Sequence, residues 1–341
     1  MNLDTLVSFM TGGQATLMAR VGVLLVPLYR GCFVVGAASQ SVLTLLAQGP
    51  VPLDRIVAEL CPDGDGEEGL EAWLDFGVHL GEFERGPGGY SLRGMLSRRL
   101  ADARSDAVAA LLEEVVTLHA RLLLQTPALV RQGRRFTLDD QDGRLIARSS
   151  RMLEPFVFEA VDAAVPTAGP LRLLEIGCGS GTYIRRAVER NPALTALGVE
   201  LQPAVAEAAR ANLRAWGVDA NVTIDAADIR ALTPDASFDL ATLHNNIYYF
   251  PITARVELLK HVRGFLRAGG GLLLTTGCRG GSLLMEALNL WSATTEGCGS
   301  LPTPEELTGQ LRAAGFTDVT ARRLIPGESY YSFTAQRAAS S

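Results

Sequence analysis

A glycine-rich turn near the middle of the chain constrains the fold more than any other feature. An apolar run at residues 171–176 meets glycines at alternate positions, Gly177, Gly179 and Gly181, and an arginine-rich run continues to residue 190. This order predicts a strand, a tight turn and a helix. Because glycine lacks a Cβ and readily takes positive φ, a ligand can approach the bare backbone. The helix that follows offers free N–H groups at its start.

Two acids flank this turn. Glu175 comes just before it, where a carboxylate would repel a pyrophosphate but suit a ligand with an ammonium group or hydroxyls. A dinucleotide turn, G-x-G-x-x-G, would have its last glycine where this chain has Thr182. A second predicted strand, residues 193–199, ends at Glu200, a position from which a carboxylate can accept both ribose hydroxyls. The spacing therefore predicts an adenosine ligand without a pyrophosphate.

Further predicted strands follow at residues 221–224, 237–250, 267–276, 318–325 and 329–337. The glycine turn and these segments, in this order, resemble the class I S-adenosylmethionine (SAM)-dependent methyltransferases. The resemblance implies an α/β fold with a seven-stranded Rossmann-like sheet, and SAM as the cofactor. It also implies a set of cofactor-binding residues on the carboxyl ends of the strands: Glu175, Gly177, Gly179, Gly181, Glu200, Leu201, Asp228, Ile229, His244 and Asn245.

The N-terminal part predicts a winged helix. Helices are expected at residues 34–47, 53–60 and 67–80, with an acidic loop at 62–66 and a hairpin at 81–92. The helix at 67–80 carries four acids and no Lys or Arg, so DNA phosphates would repel it. The arrangement resembles the small-molecule O-methyltransferases of plants and of bacterial secondary metabolism, in which this domain serves dimerisation.

That resemblance divides the chain into a winged-helix dimerisation domain (1–130), linking helices (131–170) and a SAM-binding domain (171–341). A long helix is expected at 105–125, and a helix from about Arg144 that is broken or kinked at Pro155. In the family the linking helices line the substrate pocket, which makes Met152 and Phe156 candidate contacts. The segment at 282–296 adds Asn289 and Trp291, and plain core packing is the alternative for each.

Composition narrows the partners and the compartment. The 341 residues carry a net charge of −6, which disfavours nucleic acid and anionic membranes as partners and favours a small molecule. Five cysteines without a C-x-x-C pair indicate neither a disulfide framework nor a zinc site, so a cytoplasmic protein is expected, and the resemblance implies a homodimer. The first ten residues lack the basic region of a secretory signal. Residues 21–47 are apolar but interrupted by Pro and polar residues, which favours a buried helix pair over a membrane span.

The catalytic residues are the least certain part of the resemblance. In the plant enzymes a histidine beyond the fourth strand takes the phenol proton, and an ungapped comparison from Asp239 to Gly270 puts Tyr248 at that position. With a reference pKa near 10, tyrosine is a poor base at neutral pH. His244, at the end of the strand, is the better proton acceptor by its reference pKa, with a structural role as the alternative. Asn245 and Asn246 are candidates to bind the cofactor or a substrate carbonyl.

No metal is expected, because no two of the four histidines have ligand spacing. The sequence thus predicts a SAM-dependent methyltransferase of a small molecule. Oxygen is favoured as the acceptor atom, and carbon and nitrogen stay open. The rival class is a non-catalytic SAM-binding or winged-helix regulator.

Overall fold

A computed structural model of the protein describes Met10, residues 13–61 and residues 65–339. Residues 62–64 of the predicted acidic loop and the first nine residues, where a secretory signal was sought, lie outside this part. Contacts divide the chain into two compact units: residues up to Arg121 together with Gln141–Met152, and Leu122–Asp140 together with the chain from Leu153 onward. These boundaries differ from the expected ones at 130 and 170, because residues 122–140 group with the sheet and 141–152 with the N-terminal helices.

The first unit is helical with one antiparallel hairpin. Its apolar core joins helix, hairpin and connecting segments through the side chains of Phe33, Leu43, Ile56, Leu74 and Phe83. Its elements are α1 (Gln14–Ser39), α2 (Val42–Leu46), α3 (Leu53–Leu60), α4 (Glu67–His79), β1 (Phe83–Gly86), β2 (Gly89–Leu92), α5 (Met95–Leu100), α6 (Asp106–Glu114) and α8 (Gly143–Ser149). The helices predicted at 53–60 and 67–80 and the hairpin are confirmed within one or two residues.

The helix pair expected over residues 21–47 is present as α1 and α2, but the first of the two is only partly buried. Helix α1 continues through Pro27, and only its last turns are buried, from Phe33 to Ala37. Upstream, apolar side chains face solvent, among them Val23 at 73% and Leu24 at 68% exposure. Among the described residues α1 is also the one helix whose length and composition would allow it to cross a membrane.

The helices between residues 105 and 164 are more broken than expected. A π-helical turn, Val115–His119, separates α6 from α7 (Ala120–Arg131). A 3-10 turn, Ser150–Leu153, separates α8 from α9 (Glu154–Ala164). Pro155 lies in the first turn of α9, where its missing N–H costs nothing, so it begins a helix rather than kinking one.

The second unit contains the expected seven-stranded sheet. Its strands are β3 (Leu171–Ile176), β4 (Leu194–Glu200), β5 (Val222–Ala226), β6 (Phe238–His244), β7 (Leu266–Gly277), β8 (Phe316–Arg323) and β9 (Tyr330–Arg337). The spatial order is β5-β4-β3-β6-β7-β9-β8, parallel except for β9, which is antiparallel to both neighbours. Its helices, besides α7 and α9, are α10 (Thr182–Arg190), α11 (Pro203–Trp216), α12 (Arg255–Phe265), α13 (Leu283–Thr294) and α14 (Pro304–Ala313).

Both faces of this sheet are buried, as parallel sheets require. Leu174 and Leu243 lie in one core layer, while Leu173 and Leu240 lie in the other. Side chains alternate between the two faces along a strand. Glu175 on β3 therefore lies on the same face as Leu173, and Thr242 and His244 on β6 lie on the same face as Leu240. The carboxyl ends of β3, β4, β5, β6 and β7 meet at one edge, where ligands bind in open α/β sheets.

Candidate cofactor and acceptor site

The glycine turn follows β3 and has the geometry that the sequence predicts. Gly177, Gly179 and Gly181 have φ values of 66°, 53° and 81°, in the left-handed region that favours glycine. A Cβ on Gly177 would lie 2.7 Å from the Asn246 amide nitrogen, whereas one on Gly179 would meet open space. The turn therefore packs against Asn246 at Gly177 and leaves open space at Gly179. Gly181 also caps the start of α10.

Glu200 holds this turn from the neighbouring strand. Its Oε2 accepts a hydrogen bond from the Gly179 N–H at 3.1 Å, and its Oε1 accepts one from the Gln202 N–H at 3.1 Å. The carboxylate is half-buried at the end of β4, so part of its surface remains accessible. Each oxygen has lone-pair capacity left for a further donor, such as a hydroxyl.

Glu175 lies in a different environment from the one its sequence position suggests. It belongs to β3, ahead of Ile176, and is only 2% exposed. The Thr242 hydroxyl donates a long hydrogen bond to its Oε2, at 3.5 Å. Burial away from strong donors raises the pKa of this carboxyl to about 8. Glu175 therefore lies beneath the turn rather than on its open side, and it is protonated at neutral pH in this state.

A chain of buried hydrogen bonds lies beyond β6. The Tyr330 hydroxyl donates to Asn245 Oδ1 at 2.8 Å, and His244 Nδ1 is 2.9 Å from the Thr275 hydroxyl. Asn245 has a left-handed φ of 53°, and its N–H donates to the Thr275 carbonyl. This backbone conformation ends β6 at His244 rather than at residue 250 as expected.

His244 is enclosed by this chain. It is 6% exposed, and its ring centroid is 4.7 Å from that of Tyr183 on α10. Burial lowers the pKa of the imidazole to about 3, so it is neutral at physiological pH. Its Nε2 is buried and has no hydrogen-bond partner among the described residues. The geometry therefore makes His244 a fixed neutral polar group rather than a base that titrates near pH 7.

Asn246 joins the two central strands at this edge. Its amide nitrogen donates to the Ile176 carbonyl, the last residue of β3, while its Oδ1 is buried without a partner among the described residues. Sequence reasoning considered Asn246 only as one of two asparagines. Its contact with β3 and its position against Gly177 make it a wall of the turn.

The residues expected at the adenine position are partly engaged elsewhere. The Asp228 carboxylate pairs with Arg230, which lowers the pKa of Asp228, and it caps the short 3-10 turn that begins at Ile229. Ile229 is buried in the core, and Leu201 is 60% exposed beside Glu200. Only Leu201 of these three presents an open apolar surface.

An aromatic cluster follows β6. Tyr248 and Tyr249 have ring centroids 5.1 Å apart, and each packs edge-on against Trp291 of α13, at 6.2 and 5.6 Å. Tyr248 is 7% exposed and Trp291 is 4% exposed. Asn289 Oδ1 accepts a hydrogen bond from the Leu301 N–H, so this amide holds the loop after α13. The structure therefore brings Tyr248 and Trp291 together, as the predicted acceptor site requires.

Arg255, which the sequence analysis missed, holds the loops around this cluster. It is 1% exposed and donates to the carbonyls of Phe250, Gly299 and Ser300. Burial lowers the pKa of its guanidinium to about 10, which still leaves it charged at neutral pH. No local signal marks this role, because two of the three carbonyls, those of Gly299 and Ser300, belong to a distant segment.

The two candidates from the linking helices fall in different units. Met152 belongs to the first unit and is 39% exposed. Phe156, on α9 in the second unit, is half-buried and packs against the core layer of Leu173 and Leu240. Phe156 therefore has the packing role that the sequence analysis kept as the alternative.

SAM fits what these residues offer. The bare backbone at Gly179, the partly open Glu200 carboxylate and the apolar surface of Leu201 suit a nucleoside with ribose hydroxyls. The buried partnerless atoms of His244 and Asn246 are suited to a polar ligand group. In the part of the chain that the structure describes, no three His, Cys, Asp or Glu side chains cluster as metal ligands do.

The chain contains a methyltransferase domain: residues 174–272 match that family. The fold, with its helical N-terminal region and seven-stranded sheet, is that of the class I SAM-dependent methyltransferases. The mitomycin 7-O-methyltransferase has a similar structure, with a TM-score of 0.78 and 19% identity over 96% of this chain and 100% of the other. Human N-acetylserotonin methyltransferase, solved with SAM, has a TM-score of 0.70 and 19% identity over 95% and 98%.

A sequence relative matches about a third of the chain. Trans-aconitate 2-methyltransferase of Methylobacterium nodulans is 31% identical over 110 residues, which are 32% of this chain. The aligned segment spans 40% of that enzyme's length.

Proposed function

We propose that this protein is a SAM-dependent methyltransferase that transfers a methyl group to a small molecule. Oxygen is the favoured acceptor atom. The observation that carries the proposal is the left-handed glycine turn held by Glu200 at the carboxyl edge of the sheet, open above Gly179. The matched methyltransferase domain supports it, because residues 174–272 include the turn, Glu200 and β6.

In this proposal Glu200 accepts the ribose hydroxyls and Leu201 covers one face of the adenine. Gly177, Gly179 and Gly181 provide the backbone surface, while Asp228 and Ile229 border the adenine pocket. Glu175, beneath the turn, becomes ionised when the positively charged end of the ligand arrives, because a nearby cation lowers the pKa of a buried carboxyl. Asn245 shapes the turn after β6 that faces the ligand.

When bound, SAM supplies a methyl group on a positively charged sulfur. The residues of this chain have to hold the acceptor in line with that methyl group and exclude water. Tyr248 and Trp291 would form the apolar wall for the acceptor, with Asn289 holding the loop behind them and Phe156 as a further contact within the same unit. His244 would accept or donate one hydrogen bond through Nε2 without changing charge.

The low pKa of His244 bears on the acceptor. An imidazole whose pKa is about 3 accepts protons only from strong acids, so a phenol proton has to leave by another route. Oxygen remains the favoured acceptor because the mitomycin enzyme bears that specificity in its name. Carbon and nitrogen acceptors need no phenol deprotonation and remain the alternatives within the enzyme class.

The first unit supports a second element of the proposal, a homodimer built on a winged-helix domain. Three helices and a hairpin have the order of a winged helix, and α1 exposes Leu17, Met18, Val23 and Leu24. Contiguous exposed apolar surface of this kind marks protein contacts, and a second copy would cover it in a cytoplasmic dimer. The acidic α4 disfavours DNA as the partner, which argues against the regulator alternative.

Isothermal titration with SAM and with NAD tests the cofactor assignment. We expect SAM to bind and NAD to give no heat, because no pyrophosphate site is present at the glycine turn as described. Tight NAD binding without SAM binding would overturn the proposal.

Turnover of the His244→Ala variant tests the acceptor site separately. We expect turnover to fall more than SAM affinity, and wild-type turnover would remove His244 from the site. Labelled SAM incubated with cell extract, followed by mass spectrometry, identifies the acceptor. Transfer to no molecule, with SAM binding intact, would favour the regulator.

A further inference from the structure

A cationic cleft lies in the first unit, apart from the residues discussed so far. It has a volume of about 390 Å³ and is lined by Arg93, Met95, Arg98, Arg99, Asp102 and Ser105. All lie on α5 or on the short segments that flank it. The volume falls within the range of small-molecule sites, but the lining is charged rather than apolar.

Several arginines of this unit outside the cleft are paired with acids. Arg30 contacts Glu82, Arg85 contacts Glu71 and Asp75, and Arg148 and Arg151 share Asp106. In the part of the chain that the structure describes, no ion pair joins a carboxylate to the three arginines of the cleft. Three unpaired guanidinium groups around one cleft repel one another, in a chain whose net charge is −6.

The acid inside the cleft, Asp102, offsets only part of this charge, because its hydrogen bonds go to Arg104 and its interaction with Arg99 is a weaker, purely electrostatic one. Asp102 is chelated by Arg104, whose guanidinium donates to both carboxylate oxygens at 2.6 to 3.1 Å. This pairing lowers the pKa of Asp102 to about 2, so the carboxylate is ionised but already neutralised by its partner. The excess positive charge of Arg93, Arg98 and Arg99 remains available.

One of these arginines is also oriented in advance. Arg98 Nε donates to the Leu92 carbonyl at 3.1 Å, which anchors one edge of the guanidinium and leaves its terminal nitrogens for another acceptor. Ser105 adds a hydroxyl to the lining. Guanidinium groups match phosphate oxygens with paired N–H donors, and a fixed fork loses less entropy when it binds.

We propose that this cleft binds the phosphate group of a small phosphorylated molecule. A phosphate monoester carries nearly two negative charges at pH 7, which suits three unpaired guanidinium groups better than a carboxylate does. The cleft exceeds the size of a bare phosphate and leaves room for the group that the phosphate is attached to. A nucleic acid is the less favoured source, because α4 of the same unit carries Glu67, Glu68, Glu71 and Asp75.

Titration calorimetry of the full-length protein tests the site, with inorganic pyrophosphate as the probe and benzoate as the carboxylate control at constant ionic strength. We expect wild type to bind pyrophosphate and to bind benzoate much more weakly. The double variant Arg93→Gln/Arg99→Gln should lose about tenfold or more in pyrophosphate affinity, since two charge-assisted contacts are removed. Asp102→Asn should bind more tightly, because it removes the negative charge from the lining.

The matched control is the double variant Arg55→Gln/Arg144→Gln, which removes the same charge from exposed positions of the same unit outside the cleft. If this control lost as much pyrophosphate affinity, the effect would come from net charge alone, and the proposed site would be overturned. Binding of a 20-base-pair DNA that is tighter than pyrophosphate and depends on the same arginines would overturn the small-molecule assignment. No heat at millimolar pyrophosphate with wild type would overturn the proposal as a whole.

SAM affinity is measured in parallel for every variant. We expect it to be unchanged, which confirms that the sheet unit is folded and separates this site from the glycine turn. Failure of wild type to bind SAM would contradict the proposed function and leave the pyrophosphate result standing.

Discussion

Two glutamates at the glycine turn differ in burial and in hydrogen bonding: Glu200 lies on the open side, here called the rim, and Glu175 lies beneath the turn with His244, here called the floor. On the rim, Glu200 is half-buried and accepts hydrogen bonds from two backbone N–H groups. On the floor, Glu175 is 2% exposed, and its one described hydrogen bond is 3.5 Å long. Sequence position made them a matched pair of acids around one turn. The first remains partly accessible as an acceptor, whereas burial raises the pKa of the second to about 8.

The two acids therefore contribute different properties. The Glu200 carboxylate accepts hydrogen bonds and has capacity left for a ligand. The floor residues are neutral at pH 7, because burial also lowers the pKa of His244 to about 3. Above its ordinary pKa, Glu175 favours unfolding, because the unfolded chain releases a proton that the folded chain keeps. His244 does the same below its ordinary pKa, because the unfolded chain takes up a proton that the folded chain refuses. Titration of the two floor residues should therefore limit stability from opposite sides of the pH scale.

Replacement of Glu175 should have the largest effect, and it tests whether burial keeps this carboxyl protonated. The ordinary pKa of this group is 4.5, so its stabilising contribution is full below pH 4.5 and is lost as pH rises to about 8. Glu175→Gln cannot ionise, and we expect its free energy of unfolding at pH 7 to exceed that of wild type by up to about 3 kcal/mol. Urea unfolding without ligand at pH 4.5 and pH 7 measures this gain.

The control for that experiment is Glu159→Gln, an exposed acid of the same unit that pairs with Arg322. Its effect should be small and independent of pH between 4.5 and 7. An equal gain for Glu175→Gln at both pH values would mean that the carboxyl is not protonated in the folded protein.

On the rim, Glu200→Ala should act on affinity rather than on pH dependence. It removes the acceptor for the Gly179 N–H and for the proposed ribose hydroxyls, and we expect SAM affinity to fall by about 1 to 3 kcal/mol. Glu200→Gln keeps one acceptor oxygen and should lose less. Titration calorimetry checks both variants, with Glu207→Ala, an exposed acid on α11, as the control. Unchanged affinity in Glu200→Ala would refute the ribose role.

His244 limits the acid side of the stability profile. Its ordinary pKa is 6.5 and its folded pKa is about 3, so stability is full above pH 6.5 and is lost as pH falls toward 3. Between pH 6.5 and pH 5 we expect wild type to lose about 2 kcal/mol through this group, a loss that His244→Gln should not show. Unfolding at the two pH values measures the difference, and His79→Gln, at an exposed position, is the control. The same acid loss in His244→Gln would assign it to other groups.

Local patterns explain what could be predicted here. The apolar run before Gly177 and the alternating glycines specify a strand and a turn within a few residues, and all seven strands were found this way. The capping signature at Thr303 and Glu306 is likewise local, and both of its hydrogen bonds are present at the start of α14.

The features that escaped prediction depend on distant segments. Whether Glu175 faces a ligand or the interior depends on which face of β3 the helices cover, and the exposure of α1 depends on what packs against it. Arg255 binds carbonyls more than 40 residues away in sequence, at Gly299 and Ser300. Neither charge nor hydropathy at a single position carries that information.

Tyr330 gives the smallest and most specific test of the floor. Its hydroxyl is completely buried and donates to Asn245, 85 residues earlier, which fixes the left-handed residue that ends β6. Tyr330→Phe keeps the ring and removes the hydroxyl with its contacts to Asn245 and Thr275, so we expect a loss of about 1 kcal/mol in unfolding free energy. Tyr331→Phe is the matched control, because the neighbouring hydroxyl contacts only the exposed Arg323. If Tyr330→Phe cost no more than its neighbour, the hydrogen bond to Asn245 would not stabilise the floor, and the left-handed turn after β6 would have to be held by the remaining bonds of Asn245, to the Thr275 carbonyl and to Tyr183.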